Sequence, residues 1–143
     1  MKSIHVLDAN ALTAFLDKEE GAEFIRDLFY KANEGEITIY MHKVNFIEVL
    51  YYVYRFRGKI GAIELFNYIN ELPIKLIEIV SKDIMFEASR LKANYPMSLA
   101  DSIGLATAII YKGYFVTADY HELEIVKKRE KLNIKWFRPK KVN

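Results

Sequence analysis

The chain has 143 residues, 52% of them hydrophobic and 28% charged, with a formal net charge of +2. This length and composition predict one globular domain over residues 1–143 and exclude an intrinsically disordered chain. The sequence contains no cysteine, which excludes a disulfide framework and a thiolate metal site. It has neither a signal-peptide pattern nor a stretch of about 20 uncharged apolar residues, so we expect a cytoplasmic protein without membrane association.

Short apolar segments typical of β-strands alternate with longer segments of helical periodicity. Strands are predicted at residues 3–7, 36–41, 74–80, 114–117 and 134–137. Helices are predicted at residues 11–16, 22–32, 45–57, 62–72, 84–93 and 99–111, with Gly58 and Gly61 near the junction of the third and fourth. This alternation predicts an α/β fold, a three-layer α/β/α sandwich around a mainly parallel five-stranded sheet.

Aromatic residues are unusually dense in the third and fourth predicted helices. Because apolar residues at helical spacing usually pack against the sheet, we expect most of them in the core. At least one of three neighbouring tyrosines should be exposed, since consecutive helical residues point about 100° apart, and exposed tyrosines favour interfaces. The aromatic residues are Phe46, Tyr51, Tyr52, Tyr54, Phe56, Phe66 and Tyr68.

Basic residues are concentrated near the C-terminus. Residues 127–141 contain eight lysines and arginines against a single acid, Glu130. Such a segment is compatible with phosphate binding, and equally with a solvated C-terminal helix.

Four acidic residues stand in apolar surroundings. Asp8 ends the first predicted strand in VLD, and Asp119 follows the fourth in FVTAD. Because the carboxyl ends of parallel strands meet at one edge of a sheet, both carboxylates should emerge there. Glu48 lies within the apolar helical segment NFIEVL, and Asp101 begins the buried-type helix LADSIGLATAII.

Each acid also has a purely structural interpretation. Asp8 is a good helix N-cap, although Asn10 competes for that position. Ser98 and Asp101 approximate a capping box, and Asp119 fits a turn. Glu48 fits the polar edge of an amphipathic helix, paired with Arg55 or Arg57.

Considered together, the four acids predict a metal site. Clustered carboxylates cannot all stay ionised without a cation, and hard oxygen ligands favour Mg²⁺ or Mn²⁺. Such an ion lowers the pKa of a bound water and stabilises a departing phosphodiester oxygen, which points to a nuclease. The phosphate-binding loop, the GxSxG nucleophile elbow, HExxH and CxxC are all absent.

The succession VLDAN, NFIEVL, LADSIGLATA and FVTAD resembles the acidic signature of PIN domains, particularly the VapC-type toxins of toxin–antitoxin pairs. The resemblance implies a single-strand endoribonuclease that depends on Mg²⁺ or Mn²⁺. It also implies a homodimer and an antitoxin whose C-terminal segment covers the acidic groove. Carried over by position, the catalytic and metal-binding acids are Asp8, Glu48, Asp101 and Asp119, supported by the polar residues Asn10 and Thr117.

The sequence departs from that family pattern at two places. Ala9 stands where relatives often have Thr or Ser, and Tyr120, His121 and Glu122 stand where many have a further Asp and a Phe. Glu122 is therefore a possible additional ligand, and His121 is either a surface residue or a contact to metal or RNA. Two other functions remain open: ribosomal or transfer RNA processing without an antitoxin, and a non-catalytic domain that binds RNA or protein.

Overall fold

The computed structural model describes residues 2–142. Its five strands form one parallel sheet in the order β3-β2-β1-β4-β5, which confirms the predicted α/β architecture. The strands are β1 (Ser3–Leu7), β2 (Ile37–His42), β3 (Lys75–Ile77), β4 (Tyr114–Thr117) and β5 (Ile134–Trp136). The helices are α1 (Ala9–Leu16), α2 (Ala22–Asn33), α3 (Lys43–Tyr68), α4 (Lys82–Asn94), α5 (Leu99–Ile110) and α6 (Tyr120–Glu130).

Two hydrophobic cores lie on opposite faces of the sheet. Successive strand residues point to opposite faces, so Leu7 and Val116 pack with α1, α2 and α3, whereas Val6 and Phe115 pack with α4, α5 and α6. All four of these side chains are fully buried. The strands are hydrophobic on both faces because helices cover both, which produces the three-layer sandwich.

The order in which strands are added to the sheet changes direction between the central strands β1 and β4. From β1 the sheet is built outward through β2 to β3, and the chain then returns to place β4 on the other side of β1 and β5 beyond it. Parallel α/β sheets bind ligands at such a switch point, in the crevice beyond the carboxyl ends of the strands. Residue 8 follows β1 and residue 118 follows β4, so both chain segments lead directly into this crevice.

Several element boundaries differ from those predicted. The third strand covers only three residues, and a 3₁₀ turn at Ile69–Glu71 replaces the last turn of the predicted fourth helix. The third and fourth predicted helices are the two segments of α3, and the predicted junction between them is a kink at Gly58, where φ is 67° and ψ is −167°. This backbone conformation is essentially restricted to glycine, which explains why the two helical segments meet there. Helix α6 has no counterpart among the predicted helices, because TADYHE resembles a turn.

The expectation that most aromatic residues of α3 are buried is wrong. Phe46 is 2% exposed, but Tyr51, Tyr54, Phe56 and Phe66 are 54–69% exposed. After residue 50, α3 packs Leu65 into the core and leaves these four aromatic rings at the surface. Helical spacing of aromatic residues therefore does not distinguish a core from an uncovered surface. Within residues 2–142, no helix is long and apolar enough to cross a membrane.

The basic residues near the C-terminus do not form a separate tail. Three of them occupy the last turn of α6, where positive charge complements the helix dipole. Lys135 lies on β5 with its Nζ 3.0 Å from His5 Nε2. Arg138 pairs with Glu19 and Lys140 with Glu124, so part of the positive charge is neutralised within the fold.

Two features of the fold require glycine at position 21. Its φ is +93°, and a Cβ there would lie 2.5 Å from the Phe137 carbonyl oxygen. Gly35 also has a positive φ, +78°, but a Cβ there would meet only Lys2 Nζ at 4.0 Å. Gly35→Ala should therefore cost about 1 to 2 kcal/mol of backbone strain. Gly21→Ala should cost a further ~1 to 3 kcal/mol because the backbone beyond β5 must move. Urea unfolding of the two variants measures this difference, and equal losses would contradict the close packing.

Candidate active site

Asp8 is the most buried acid of the site, with 2% of its surface exposed. Its backbone N–H continues the sheet by donating to the Val116 carbonyl oxygen at 3.0 Å. The side chain caps α1, where Oδ1 accepts from Ala9 N at 2.8 Å. The end of β1 therefore places a carboxylate in the crevice at the switch point.

Thr117 connects the ends of the two central strands. Its hydroxyl donates to Asp8 Oδ2 at 2.8 Å and accepts from the Asp119 backbone N–H at 3.1 Å. Asp119 in turn is the N-cap of α6, and its Oδ1 accepts from Glu122 N at 3.1 Å. One buried hydroxyl thus determines the relative placement of the acid after β1 and the acid after β4.

The other two predicted acids come from helices. Glu48 lies on the second turn of α3, and Asp101 lies in the first turn of α5, which is capped by Ser98. The buried side chain of Asn45 links the two helices, because its Nδ2 donates to Glu48 Oε1 at 3.4 Å and to the Ala100 carbonyl oxygen at 3.1 Å. Asn45 is not among the predicted site residues; its only signal in the sequence is a polar residue three positions before Glu48 in an apolar helical segment.

The structure brings the predicted acids together in two overlapping groups. Carboxylate oxygens of Asp8, Glu48 and Asp101 lie within 4.8 Å of one another. Carboxylate oxygens of Asp101, Asp119 and Glu122 also lie within 4.8 Å of one another. Asp101 belongs to both groups, and Glu122, the possible additional ligand, completes the second. We refer to these five residues as the acid cluster.

The pKa values of the cluster show the electrostatic cost of this arrangement. Burial, and then the charge of Asp101, raises the pKa of Asp8 to about 8, against the hydrogen bonds from Thr117 and Ala9. Hydrogen bonding with Asp101, burial, and the charges of Asp101 and Asp119 raise the pKa of Glu122 to about 8. Burial and the charge of Asp101 also raise the pKa of Glu48. Without a cation, the cluster therefore holds protons near neutral pH.

The local structural roles of Asp8, Asp101 and Asp119 are compatible with their membership in the acid cluster. Asp8 and Asp119 do cap helices, and Ser98 Oγ accepts from Asp101 N at 3.1 Å, which is half of a capping box. As a result, α1, α5 and α6 all direct their N-termini toward the acid cluster. The positive ends of three helix dipoles partly offset the mutual repulsion of the carboxylates.

Some individual expectations were wrong. Asn10 does not cap α1; it lies inside that helix, with its Oδ1 buried and without a hydrogen-bond partner in the described part of the chain. Glu48 forms no ion pair with Arg55 or Arg57; Arg55 lies over the Tyr51 ring. Among residues 2–142, no member of the acid cluster forms a salt bridge with Lys or Arg. His121 is exposed and belongs to neither carboxylate group.

The residues present fit a hard divalent cation. All ligand atoms in the two groups are carboxylate oxygens, which Mg²⁺ and Mn²⁺ prefer over the nitrogen and sulfur ligands typical of zinc. Glu122 Oε2 is buried and has no hydrogen-bond partner within residues 2–142, so it has an unused coordination position. A cation would also relieve the repulsion that raises the pKa values of the cluster.

The fold is similar to that of chains in several solved toxin–antitoxin complexes. VapBC2 from Rickettsia felis, bound to a DNA fragment from its promoter, matches with a TM-score of 0.71 and 17% identity over 93% of this chain and 98% of that chain. DNA-bound VapBC from Salmonella typhimurium matches with a TM-score of 0.70 and 15% identity over 96% and 99%. A toxin–antitoxin complex from Klebsiella pneumoniae matches with a TM-score of 0.65 and 16% identity over 93% and 97%.

Comparison with curated proteins finds no match. A family model described as PIN domain matches residues 5–128, a span that begins before Asp8 and ends after Glu122. Because the match covers most of the chain and contains the whole acid cluster, this chain belongs to the PIN domain family.

Proposed function

We propose that the protein is a divalent-metal-dependent endoribonuclease that cuts single-stranded RNA, and that it is the VapC-like toxin of a type II toxin–antitoxin pair. The observation that carries the nuclease proposal is the acid cluster at the switch point, with two groups of three carboxylates sharing Asp101. Membership in the PIN domain family supports the reaction class. The toxin assignment is supported by the similarity to VapBC complexes over nearly the whole chain.

Asp8, Glu48 and Asp101 would hold one Mg²⁺ or Mn²⁺ ion, and Asp101, Asp119 and Glu122 offer a second position. When bound, the ion supplies an activated water and stabilises the negative charge that develops on the phosphodiester oxygens. Asp8 is held by Ala9 N and Thr117 Oγ1, so its carboxylate needs no rearrangement to bind. Glu48 is partly exposed, so it would either complete the ligands of the ion or orient the attacking water.

The variant Asp8→Asn should abolish catalysis while preserving the fold. Asparagine still caps α1 and still forms a hydrogen bond with Thr117, but it removes the most buried negative charge of the cluster. Cleavage of single-stranded RNA in Mn²⁺ should fall on the order of 10²-fold or more. Asp83→Asn is the matched control, because Asp83 is an exposed acid in the first turn of α4. Undiminished cleavage by Asp8→Asn would show that the site assignment is wrong.

The metal-free protein should lose stability as the pH rises. Between pH 3.8, the ordinary pKa of an Asp carboxyl, and about pH 8, the folded state retains a proton on Asp8 that the unfolded chain has released. The stabilisation is therefore complete below pH 3.8 and is lost as the pH rises through about 8. Glu122 contributes in the same direction between pH 4.5 and about 8.

Thermal melts in EDTA between pH 5 and pH 8.5 test this slope. Asp8→Asn should flatten it, and Mn²⁺ should raise the Tm of the unmodified protein most at the alkaline end, where the ion displaces the fewest protons. An identical slope in Asp8→Asn, or a Mn²⁺ effect independent of pH, would contradict the proposed electrostatics.

The proposed partners are a second copy of the chain and an antitoxin. Six large apolar side chains of α3 are exposed; we name this group the α3 apolar face, and it supports an interface on this helix. Monomeric proteins rarely expose large apolar patches, and aromatic residues are enriched at interfaces. The face consists of Tyr51, Tyr54, Phe56, Ile60, Ile63 and Phe66, which are 49–75% exposed.

The unmodified protein should elute as a dimer in light-scattering chromatography at micromolar concentration. The double variant Phe56→Ser and Phe66→Ser removes two exposed rings and should shift the mass to a folded monomer, because neither ring is in the core. Tyr30→Ser, an equally exposed aromatic position on α2, is the control and should leave the dimer intact. A monomeric unmodified protein would rule out the homodimer.

A further inference from the structure

We propose that Asn45 positions the metal ligands Glu48 and Asp101 relative to each other, and that Gly104 is the residue that makes room for it. The inference rests on the proposed function, because it concerns ligands of the proposed metal site. It assigns a positioning role to Asn45, which would not itself bind metal or RNA.

The side-chain amide of Asn45 ties together the two helices that carry the ligands. Asn45 is 0% exposed, and its Nδ2 donates to Glu48 Oε1 on α3 and to the Ala100 carbonyl oxygen on α5. Ala100 immediately precedes Asp101 in the chain. A single –NH₂ group therefore holds a ligand carboxylate of one helix and the backbone beside a ligand of the other.

Gly104 leaves the space that the Asn45 side-chain amide occupies. A Cβ at Gly104 would lie 2.8 Å from Asn45 Oδ1 and 3.2 Å from Asn45 Nδ2. Glycine is disfavoured inside helices relative to alanine, and α5 is otherwise built mainly from alanine, leucine and isoleucine. Its glycine faces the buried Asn45 amide, which reaches across from α3, and the ring of Phe115, whose Cε1 would lie 3.2 Å from a Cβ there. This pairing explains why a poor helix former stands in the middle of a buried helix.

The link opposes the repulsion within the cluster. Carboxylate oxygens of Glu48 and Asp101 lie within 4.8 Å of each other, and the hydrogen bond from Asn45 Nδ2 holds Glu48 Oε1 in place. Glu48 is partly exposed, so without this bond its side chain is free to turn toward solvent, away from Asp101. Outer-shell hydrogen bonds of this kind typically contribute 10–100-fold to metal affinity.

Mn²⁺ binding measured by isothermal titration calorimetry tests the positioning role without relying on catalysis. Asn45→Leu keeps approximately the shape of the side chain but has no hydrogen-bond donor. Asn45→Ala removes both the shape and the donor. Both variants should bind Mn²⁺ about 10-fold or more weakly than the unmodified protein. Val49→Ala, which truncates a buried residue on the same helix without touching either carboxylate group, should bind within 2-fold even if its Tm falls.

A double-mutant cycle on Tm, measured in EDTA, tests the pairing with Gly104 separately. Gly104→Ala alone should lower the Tm, because the new methyl group displaces Asn45. In the Asn45→Ala background the same substitution should lower the Tm much less, since only Phe115 Cε1, at 3.2 Å from the new Cβ, remains close and alanine favours the helix.

The outcomes separate the inference from the proposed function. Unmodified protein that binds no Mn²⁺ overturns the proposed function and the inference with it. Unmodified protein that binds Mn²⁺, together with Asn45→Leu and Asn45→Ala that bind it equally well, overturns the inference alone. Additive Tm changes for Asn45→Ala and Gly104→Ala overturn the role of Gly104.

Discussion

The buried carboxylate of Asp8, surrounded by like charges, is the constraint on which the rest of the structure depends. Its charge is unfavourable with 2% exposure and with Asp101 and Glu48 as neighbours. The fold compensates with hydrogen bonds from Ala9 N and Thr117 Oγ1. The N-termini of α1, α5 and α6 supply further positive potential. Protons or a divalent cation supply the remaining compensation, which makes the acid cluster responsive to both.

The same residues serve local structure and the site. Asp8 begins α1 and Asp119 begins α6, and each places its carboxylate at the carboxyl edge of the sheet in doing so. A carboxylate that caps a helix is already held in place: Asp8 accepts hydrogen bonds at both oxygens, from Ala9 N and Thr117 Oγ1, and Asp119 accepts one from Glu122 N. Capping therefore contributes to the preorganisation of the proposed metal site, and an interpretation of these acids as caps does not argue against a catalytic one.

The first turns of helix α3 contribute to the acid cluster, and its later turns form an exposed surface. Asn45, Phe46 and Glu48 lie in its first two turns, packed toward the sheet and α5. The α3 apolar face occupies the following turns and extends across the break at Gly58. A partner on that face would lie on the same helix as Glu48, so an interface and the acid cluster share one structural element.

The sequence by itself determined the alternation of strands and helices and the placement of acids at the strand ends. Both follow from the local pattern of apolar and polar residues, which also predicts the parallel sheet. Tertiary structure decided which of these residues meet. The position of Glu48 relative to Asp101 depends on packing of α3 against α5 through Asn45 and Gly104, residues 59 positions apart in the chain. The aromatic residues of α3 have the same helical spacing whether they are covered or exposed, so only the packing of the other helices determined which of them reach solvent.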